Sequence, residues 1–180
     1  DGYLYTGDLG YMSKEGLLYV KGRFKSLLIS SDGEKYSPEG IEEALVEKSP
    51  FIDQVMLYNN QCATTTALIV ANKDALRRYL KENNLKAESE EGRKAALMKL
   101  EGELARFKKG GEFQGMFPER WLPSSFAVLA EPFTEQNQMI NSTMKMVRPK
   151  IEKAYKERID YMYSSEGKQT LNPQNIEAVL

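Results

Sequence analysis

The sequence contains no histidine and only one cysteine, Cys62, among its 180 residues. The absence of histidine excludes histidine-dependent catalytic triads, histidine-ligated metal sites and imidazole acid–base catalysis. A single cysteine cannot form an intramolecular disulfide, so we expect a reducing compartment and predict a cytoplasmic protein. Apolar runs long enough to span a bilayer are also missing, and we expect no signal peptide at the start of this sequence.

The chain has almost no excess charge, with 25 basic and 26 acidic residues and a formal net charge of −1. This balance argues against a general nucleic-acid binder. Hydrophobic residues make up 41% and charged residues 28%, which is enough for a buried core in one domain, or in a domain with a piece of its neighbour. Because the sequence starts abruptly in DGYLYTGDLG, we expect a fragment of a longer protein.

Hydrophobic patterning predicts an α+β fold, a small, mostly antiparallel sheet of three strands with packed helices, preceded by a β-hairpin. Ser37 is the predicted N-cap of the first helix and Pro38 its first residue. The predicted elements are a hairpin over 8–21, strands at 27–29, 55–58, 66–70 and 125–129, a polar turn at 59–61, and helices over 38–49, 73–82, 89–109, 148–161 and 175–179.

A loop rich in aromatic residues follows the helix predicted over 89–109. Phe113, Met116, Phe117 and Trp121 lie in it. We predict that they pack on the domain's own core, as such side chains commonly anchor long loops. A surface for a partner is the alternative.

Two groups of motifs carry a resemblance to a known superfamily. The first group resembles the C-terminal part of the adenylate-forming enzymes, which include acyl-CoA synthetases, luciferases and the adenylation domains of peptide synthetases. Its pattern is Tyr/Trp-x-x-Thr-Gly-Asp, then Gly-Arg-x-Lys/Asp, then Gly-Glu-x-x-x-Pro-x-x-Ile-Glu. The matching residues are Tyr3, Thr6, Gly7, Asp8, Gly22, Arg23, Lys25, Gly33, Glu34, Pro38, Ile41 and Glu42.

The second motif runs from Phe133 to Lys145 and looks like a pattern of the long-chain acyl-CoA synthetases, Phe-Thr-x-Glu-Asn-Gly-Leu-Leu-Thr-Pro-Thr-Leu-Lys. The resemblance implies that Lys145 is the catalytic lysine of the adenylation step. Among the departures from the pattern, Gln138 replaces the usual Gly, and Asn141 and Ser142 replace Thr-Pro. We therefore expect the loop before Lys145 to have a different shape.

The resemblance also implies roles for residues near the start of the chain. Asp8 is expected to bind the ribose hydroxyls of ATP, with Arg23 assisting from the same side. Without the motif, a turn-forming aspartate and a surface arginine are the simpler interpretation. Lys25 is implied as the hinge between residues 1–24, the end of a large N-terminal domain, and residues 25–180, a mobile C-terminal lid.

The turn at Ser31, Asp32 and Gly33 is implied to line the CoA site after the lid rotates. A plain turn glycine explains Gly33 equally well from local sequence. A basic run over 145–158 could meet CoA phosphates, but a solvated helix face with ion pairs is the favoured interpretation.

The function implied is that of an AMP-forming long-chain fatty acid–CoA ligase, using fatty acid, ATP and CoA. Mg²⁺ ligands, the acyl tunnel and the N-terminal domain are expected outside this fragment, and no metal ligand is predicted within it. The fragment alone is expected to be inactive, and the complete enzyme to be cytoplasmic, with membrane association or peripheral contact left open. Two alternatives remain: an adenylate-forming enzyme that passes its acyl group to a carrier-protein thiol, and a non-catalytic α+β interaction module.

Overall fold

The computed structural model describes residues 2, 4–23 and 26–180, with the side chains of residues 21–23 excepted. Lys25, the predicted hinge, lies outside the described residues, and for Arg23 only the backbone is described.

The first element is the predicted hairpin, formed by β1 (Asp8–Met12) and antiparallel β2 (Leu18–Arg23). Tyr11 and Tyr19 stack across the two strands, with ring centroids 5.0 Å apart. Several of its apolar side chains face solvent: Leu18 is 65% exposed and Val20 66% exposed. The two strands of the hairpin thus pair their backbone groups by hydrogen bonds, but much of the apolar side-chain surface stays exposed.

A small sheet of three short strands follows, in the order β4-β3-β6. It contains β3 (Leu28–Ser30), β4 (Lys35–Tyr36) and β6 (Asn60–Cys62). The polar turn predicted at 59–61 is wrong, because Asn60–Cys62 pairs in parallel with β3. The buried Asn59 side chain accepts a hydrogen bond from Cys62 N at 2.9 Å and so holds this segment in place.

The central sheet has the order β5-β7-β8. Its strands are β5 (Ile52–Tyr58), β7 (Thr66–Ala71) and β8 (Ser125–Leu129). β5 and β7 run antiparallel, as predicted, while β8 joins β7 in parallel. All residues of β7 and β8 are buried, so the central sheet is covered on both faces.

Six α-helices surround the sheets in the described part of the chain. They are α1 (Glu39–Glu47), α2 (Lys73–Glu82), α3 (Glu90–Ala105), α4 (Arg148–Ala154), α5 (Lys156–Met162) and α6 (Pro173–Ala178). None of these helices combines the length and apolar character needed to cross a membrane.

Two helix predictions need correction. Ser37 is not the N-cap of α1: Pro38 occupies that position without a side-chain cap, and its carbonyl accepts the first amide hydrogen bonds. The helix predicted over 148–161 is two helices, broken at Tyr155, which has φ −109° and ψ 23°. Ile151 and Ile159, one on each side of the break, pack into the same core cluster.

The hydrophobic core has two parts, one on each face of the central sheet. Alternation along β7 divides its side chains, with Ala67 and Ile69 in one cluster and Leu68 and Val70 in the other. The first cluster packs under α1, α2 and α3, and the second under α4 and α5. A leucine stripe along α3, formed by Leu97, Leu100 and Leu104, is buried in the first cluster, and the helix ends at Ala105 and not near the predicted residue 109.

The outer edge of β8 is closed by α6. The Asn175 side chain is fully buried, accepting a hydrogen bond from Val128 N at 2.9 Å and donating one to Phe126 O at 3.1 Å. One side chain thus occupies the hydrogen-bonding positions that a further strand would use.

Candidate functional site

The hairpin brings the two predicted ribose-binding positions together. In the register of β1 and β2, Asp8 lies directly opposite Arg23. Asp8 follows a tight turn in which Gly7 has φ +79° and Asp8 N donates to Thr6 Oγ1 at 3.2 Å. Asp8 is exposed. The two predicted positions are thus adjacent, at the end of the hairpin opposite its turn.

The predicted CoA-binding residues form one closed turn between β3 and β4. Gly33 has φ +84°, a left-handed conformation that glycine adopts without strain. Asp32 Oδ1 accepts hydrogen bonds from Ser30 Oγ at 2.5 Å and from Glu34 N at 3.1 Å. These two contacts, with Ser30 contributing most, hold the pKa of Asp32 below its ordinary value. The turn is thus pinned internally while Ser31, Asp32 and Gly33 remain exposed.

Lys145 lies on a separate loop over residues 139–147, which we call the Lys145 loop. The loop closes through Val147 N, which donates to Met139 O at 2.8 Å, and through an antiparallel bridge between Ile140 and Met146. Lys145 itself is exposed. The loop therefore presents the ammonium group to solvent from a closed, hydrogen-bonded frame.

Asn141, one of the departures from the family pattern, organises this loop. Its Oδ1 accepts hydrogen bonds from Lys145 N at 2.9 Å, Thr143 N at 3.0 Å and Thr143 Oγ1 at 2.8 Å. Asn141 N also donates to Lys145 O at 2.9 Å. Gln138, which replaces the usual glycine, adopts φ +60°. The backbone at that position is left-handed even though glycine is absent.

A buried ion pair, which we call the Glu42–Arg148 clamp, holds the end of the Lys145 loop. Arg148 Nη2 contacts both carboxylate oxygens of Glu42, at 2.5 Å for Oε1, and Arg148 Nη1 donates to Leu57 O at 3.0 Å. Glu42 Oε1 also accepts from Leu57 N at 2.6 Å. The Glu42 side chain is 6% exposed and that of Arg148 11%. The clamp thereby joins α1, β5 and the first residue of α4.

Burial and the neighbouring positive charge shift the pKa of Glu42 in opposite directions. Removal from water, the larger effect, raises the pKa of its carboxyl, while the Arg148 charge and the Leu57 amide lower it. The carboxylate is therefore costly to bury and depends on Arg148 for compensation.

The clamp and Lys145 line one groove of about 820 Å³ between α1 and the Lys145 loop. Ser26, the residue after the predicted hinge, also lines this groove. The turn over 31–33 is not among the described residues that line it. Lys145 thus shares a groove with Ser26, the residue after the predicted hinge, whereas the predicted CoA-binding turn lies outside that groove.

Reasoning from sequence missed the roles of two basic residues in the run over 145–158. Arg148 belongs to the clamp, and Arg158 Nη2 donates to the buried Asn175 Oδ1 at 2.7 Å. Lys156 does form the expected exposed i,i+4 pair, with Asp160 at 2.6 Å. Glu42 was part of a recognised motif, but the sequence does not show that its side chain is buried, so it carries no signal of a buried basic partner.

Among residues 4–23 and 26–180, no group of three or more Cys, Asp or Glu side chains is placed to hold a metal ion.

No family model matches the chain. Among curated proteins, it is 28% identical over 200 residues to the long-chain-fatty-acid–CoA ligase ACSBG2 of Gallus gallus, covering 100% of the chain and 25% of that protein. It is 26% identical to the long chain acyl-CoA synthetase 8 of Arabidopsis thaliana, covering 90% of the chain and 22% of that protein. The chain thus spans about a quarter of the length of these relatives.

Among solved structures, the chain is similar to the adenylation domain of a carboxylate reductase from Mycobacterium chelonae. The TM-score is 0.71 at 26% sequence identity, over 90% of this chain and 23% of the other. The curated relatives are thus a fatty acid–CoA ligase and an acyl-CoA synthetase, while the structural neighbour is an adenylation domain of a reductase. The structural match extends to the arrangement of the sheets and helices of this chain.

Proposed function

We propose that this chain, confirmed as a relative of the C-terminal part of the adenylate-forming enzymes, is the lid of an AMP-forming fatty acid–CoA ligase. Its similarity to acyl-CoA ligases over nearly its whole length supports this proposal. The observation that carries it is the placement of Lys145 on a closed loop anchored to the core by the Glu42–Arg148 clamp.

The reaction has two steps. A fatty-acid carboxylate oxygen attacks the α-phosphorus of ATP, and the bond to the leaving pyrophosphate breaks. The CoA thiolate then attacks the acyl carbon, and the bond to AMP breaks. In the first step two anions approach each other, and an ammonium group that bridges them offsets both their repulsion and the charge of the transition state. We assign this role to Lys145.

The remaining predicted residues take supporting roles. Asp8 accepts hydrogen bonds from the ribose hydroxyls of the nucleotide, with Arg23 opposite it on the hairpin. Lys25 is the hinge, and the turn over 31–33 forms part of the CoA site after rotation of the lid. We assign residues 1–24 to the end of a large N-terminal domain and 25–180 to the lid. The exposed apolar side chains of the hairpin support that boundary.

ATP, CoA and a fatty acid are the proposed substrates. Mg²⁺ would accompany ATP on ligands supplied by the rest of the enzyme. A cytoplasmic location remains part of the proposal, supported by the single cysteine.

The test uses the complete enzyme that carries this segment, with Lys145→Ala. We expect ATP–pyrophosphate exchange to fall by a factor of about 100 or more, because a transition-state charge contact is lost. Thioester formation from premade acyl-adenylate and CoA should be largely retained. Lys81→Ala, which removes another exposed lysine, on α2, is the matched control and should leave both rates unchanged.

The outcomes separate the alternatives. Near-normal rates in both assays with Lys145→Ala would remove this lysine from the mechanism. If acyl-adenylate forms but CoA does not release AMP, while a carrier-protein thiol does, the acceptor is a carrier protein. An enzyme with no exchange activity at all would be the non-catalytic module.

A further inference from the structure

The aromatic segment over residues 110–122, which we call the strap, connects α3 to β8 and packs on the domain's own core. Phe113 and Phe117 lie against Phe107, with ring centroids 5.0 Å and 6.4 Å apart, and Leu122 is buried. The predicted packing on the core is confirmed for Phe113, Phe117 and Trp121. It is wrong for Met116, which is 47% exposed. The strap is thus a fixed part of the fold.

The end of the strap contacts the predicted CoA-binding turn at two points. Arg120 forms a bidentate pair with Glu34, with Nε to Oε2 and Nη2 to Oε1 both at 2.5 Å. Trp121 stacks on Tyr36, with ring centroids 5.1 Å apart and planes 4° from parallel. Glu34 directly follows the turn over 31–33, and Tyr36 lies two residues further on in β4. The strap therefore holds the chain segment that leaves the turn.

The contacted residues are in turn anchored in the core. The Tyr36 hydroxyl bonds the fully buried Thr65 hydroxyl and accepts from Asn59 Nδ2 at 3.4 Å. The Arg120 guanidinium, and after it the Trp121 indole, hold the pKa of Glu34 below its ordinary value. The Trp121 Nε1–H lies close enough for this effect but makes no hydrogen bond of normal geometry within the described part of the chain.

We propose that Arg120 and Trp121 are positioning residues for thioester formation, because they fix the turn over 31–33 in the orientation in which it meets CoA. This inference rests on the proposed function. Neither residue needs to touch the reacting atoms. A small displacement of a positioned group is enough to slow a reaction strongly, and an Arg–carboxylate fork fixes geometry better than a single contact does.

The first test is Arg120→Ala in the complete ligase. We expect kcat/KM for CoA in the thioester step to fall about tenfold while ATP–pyrophosphate exchange is unchanged. Arg120→Lys should recover only part of the loss, since an ammonium group cannot form the fork. Arg77→Ala, which breaks an exposed arginine pair with Asp74 on α2, is the matched control and should change neither step.

A second readout does not depend on activity. Trp121 is the only tryptophan of this chain, so its fluorescence reports on the strap. In the chain itself, Arg120→Ala should increase quenching of this fluorescence by acrylamide, with no change in the unfolding midpoint.

The proposal is overturned if quenching is unchanged, if the thioester step is unaffected, or if both half-reactions fall equally. An unmodified ligase that makes no acyl-adenylate would refute the proposed function. The proposed role in thioester formation would then be lost as well. The quenching result would still show whether Arg120 holds the strap in place.

Discussion

The Glu42–Arg148 clamp makes a quantitative prediction about stability. Arg148→Met removes the guanidinium and keeps a side chain of similar length. The buried Glu42 carboxylate would then keep one hydrogen bond, from Leu57 N at 2.6 Å. An ionised carboxylate in such a place lacks a compensating charge, which makes the native state much less favourable.

The expected loss is about 3–5 kcal/mol in the free energy of unfolding at pH 7, the usual cost of removing one partner of a buried ion pair. That is a large share of the roughly 5–15 kcal/mol that stabilises a typical domain. Adding Glu42→Gln to Arg148→Met should recover part of the loss. The amide oxygen still accepts from Leu57 N, and no charge remains buried.

The loss should depend on pH with a definite sign. Burial already raises the pKa of Glu42 above its ordinary value of 4.5, and removing Arg148 takes away the largest opposing effect. The native state of Arg148→Met then binds a proton more readily than its unfolded state does. The loss in the free energy of unfolding of Arg148→Met should be complete above the raised pKa of Glu42. It should shrink as the pH falls through that value.

The measurement is urea denaturation of the chain at several pH values, followed by circular dichroism. Lys156→Met is the control: it breaks the exposed Lys156–Asp160 pair and should not move the midpoint. A deficit below about 1 kcal/mol at pH 7, typical of an exposed pair, would refute the argument that Glu42 depends on Arg148. So would a deficit that grows as the pH falls.

Two further predictions concern buried or loop-forming asparagines. Asn141→Leu in the complete ligase should lower ATP–pyrophosphate exchange about tenfold, because Lys145 N loses its acceptor, while Asn141→Asp should retain most activity. Equal rates for both variants would contradict this. Asn175→Leu should cost about 3 kcal/mol in urea denaturation, since Val128 N and Phe126 O lose their buried partner. An unchanged midpoint would show that water replaces the side chain.

Local patterns in the sequence predicted much of the fold. The leucine stripe of α3, the apolar run of β7 and the hairpin each depend on neighbours in the chain. The fold class and the resemblance to adenylate-forming enzymes were predicted correctly. The roles assigned to Asp8, Arg23, Lys25 and Lys145 stay predictions.

What escaped prediction involves residues far apart in the chain. Glu42 and Arg148 are separated by 106 positions. Taken alone, the charge of either residue indicates a solvated side chain. The parallel pairing of β8 with β7 joins Thr66 to Ser125, and no local pattern determines that direction. The strand at Asn60–Cys62 has a polar composition typical of a turn, and only its pairing with β3 makes it a strand.

The closure of β8 by Asn175 has a consequence for the order of folding. All five residues of β8 are buried and four of them are apolar, and the outer edge of the strand stays open until α6 arrives. During synthesis, β8 therefore leaves the ribosome well before the residue that covers it. In that interval an apolar strand with an unpaired edge can add to another chain, which is a known route to aggregation. By covering this edge, α6 ends the interval in which β8 can pair with another chain.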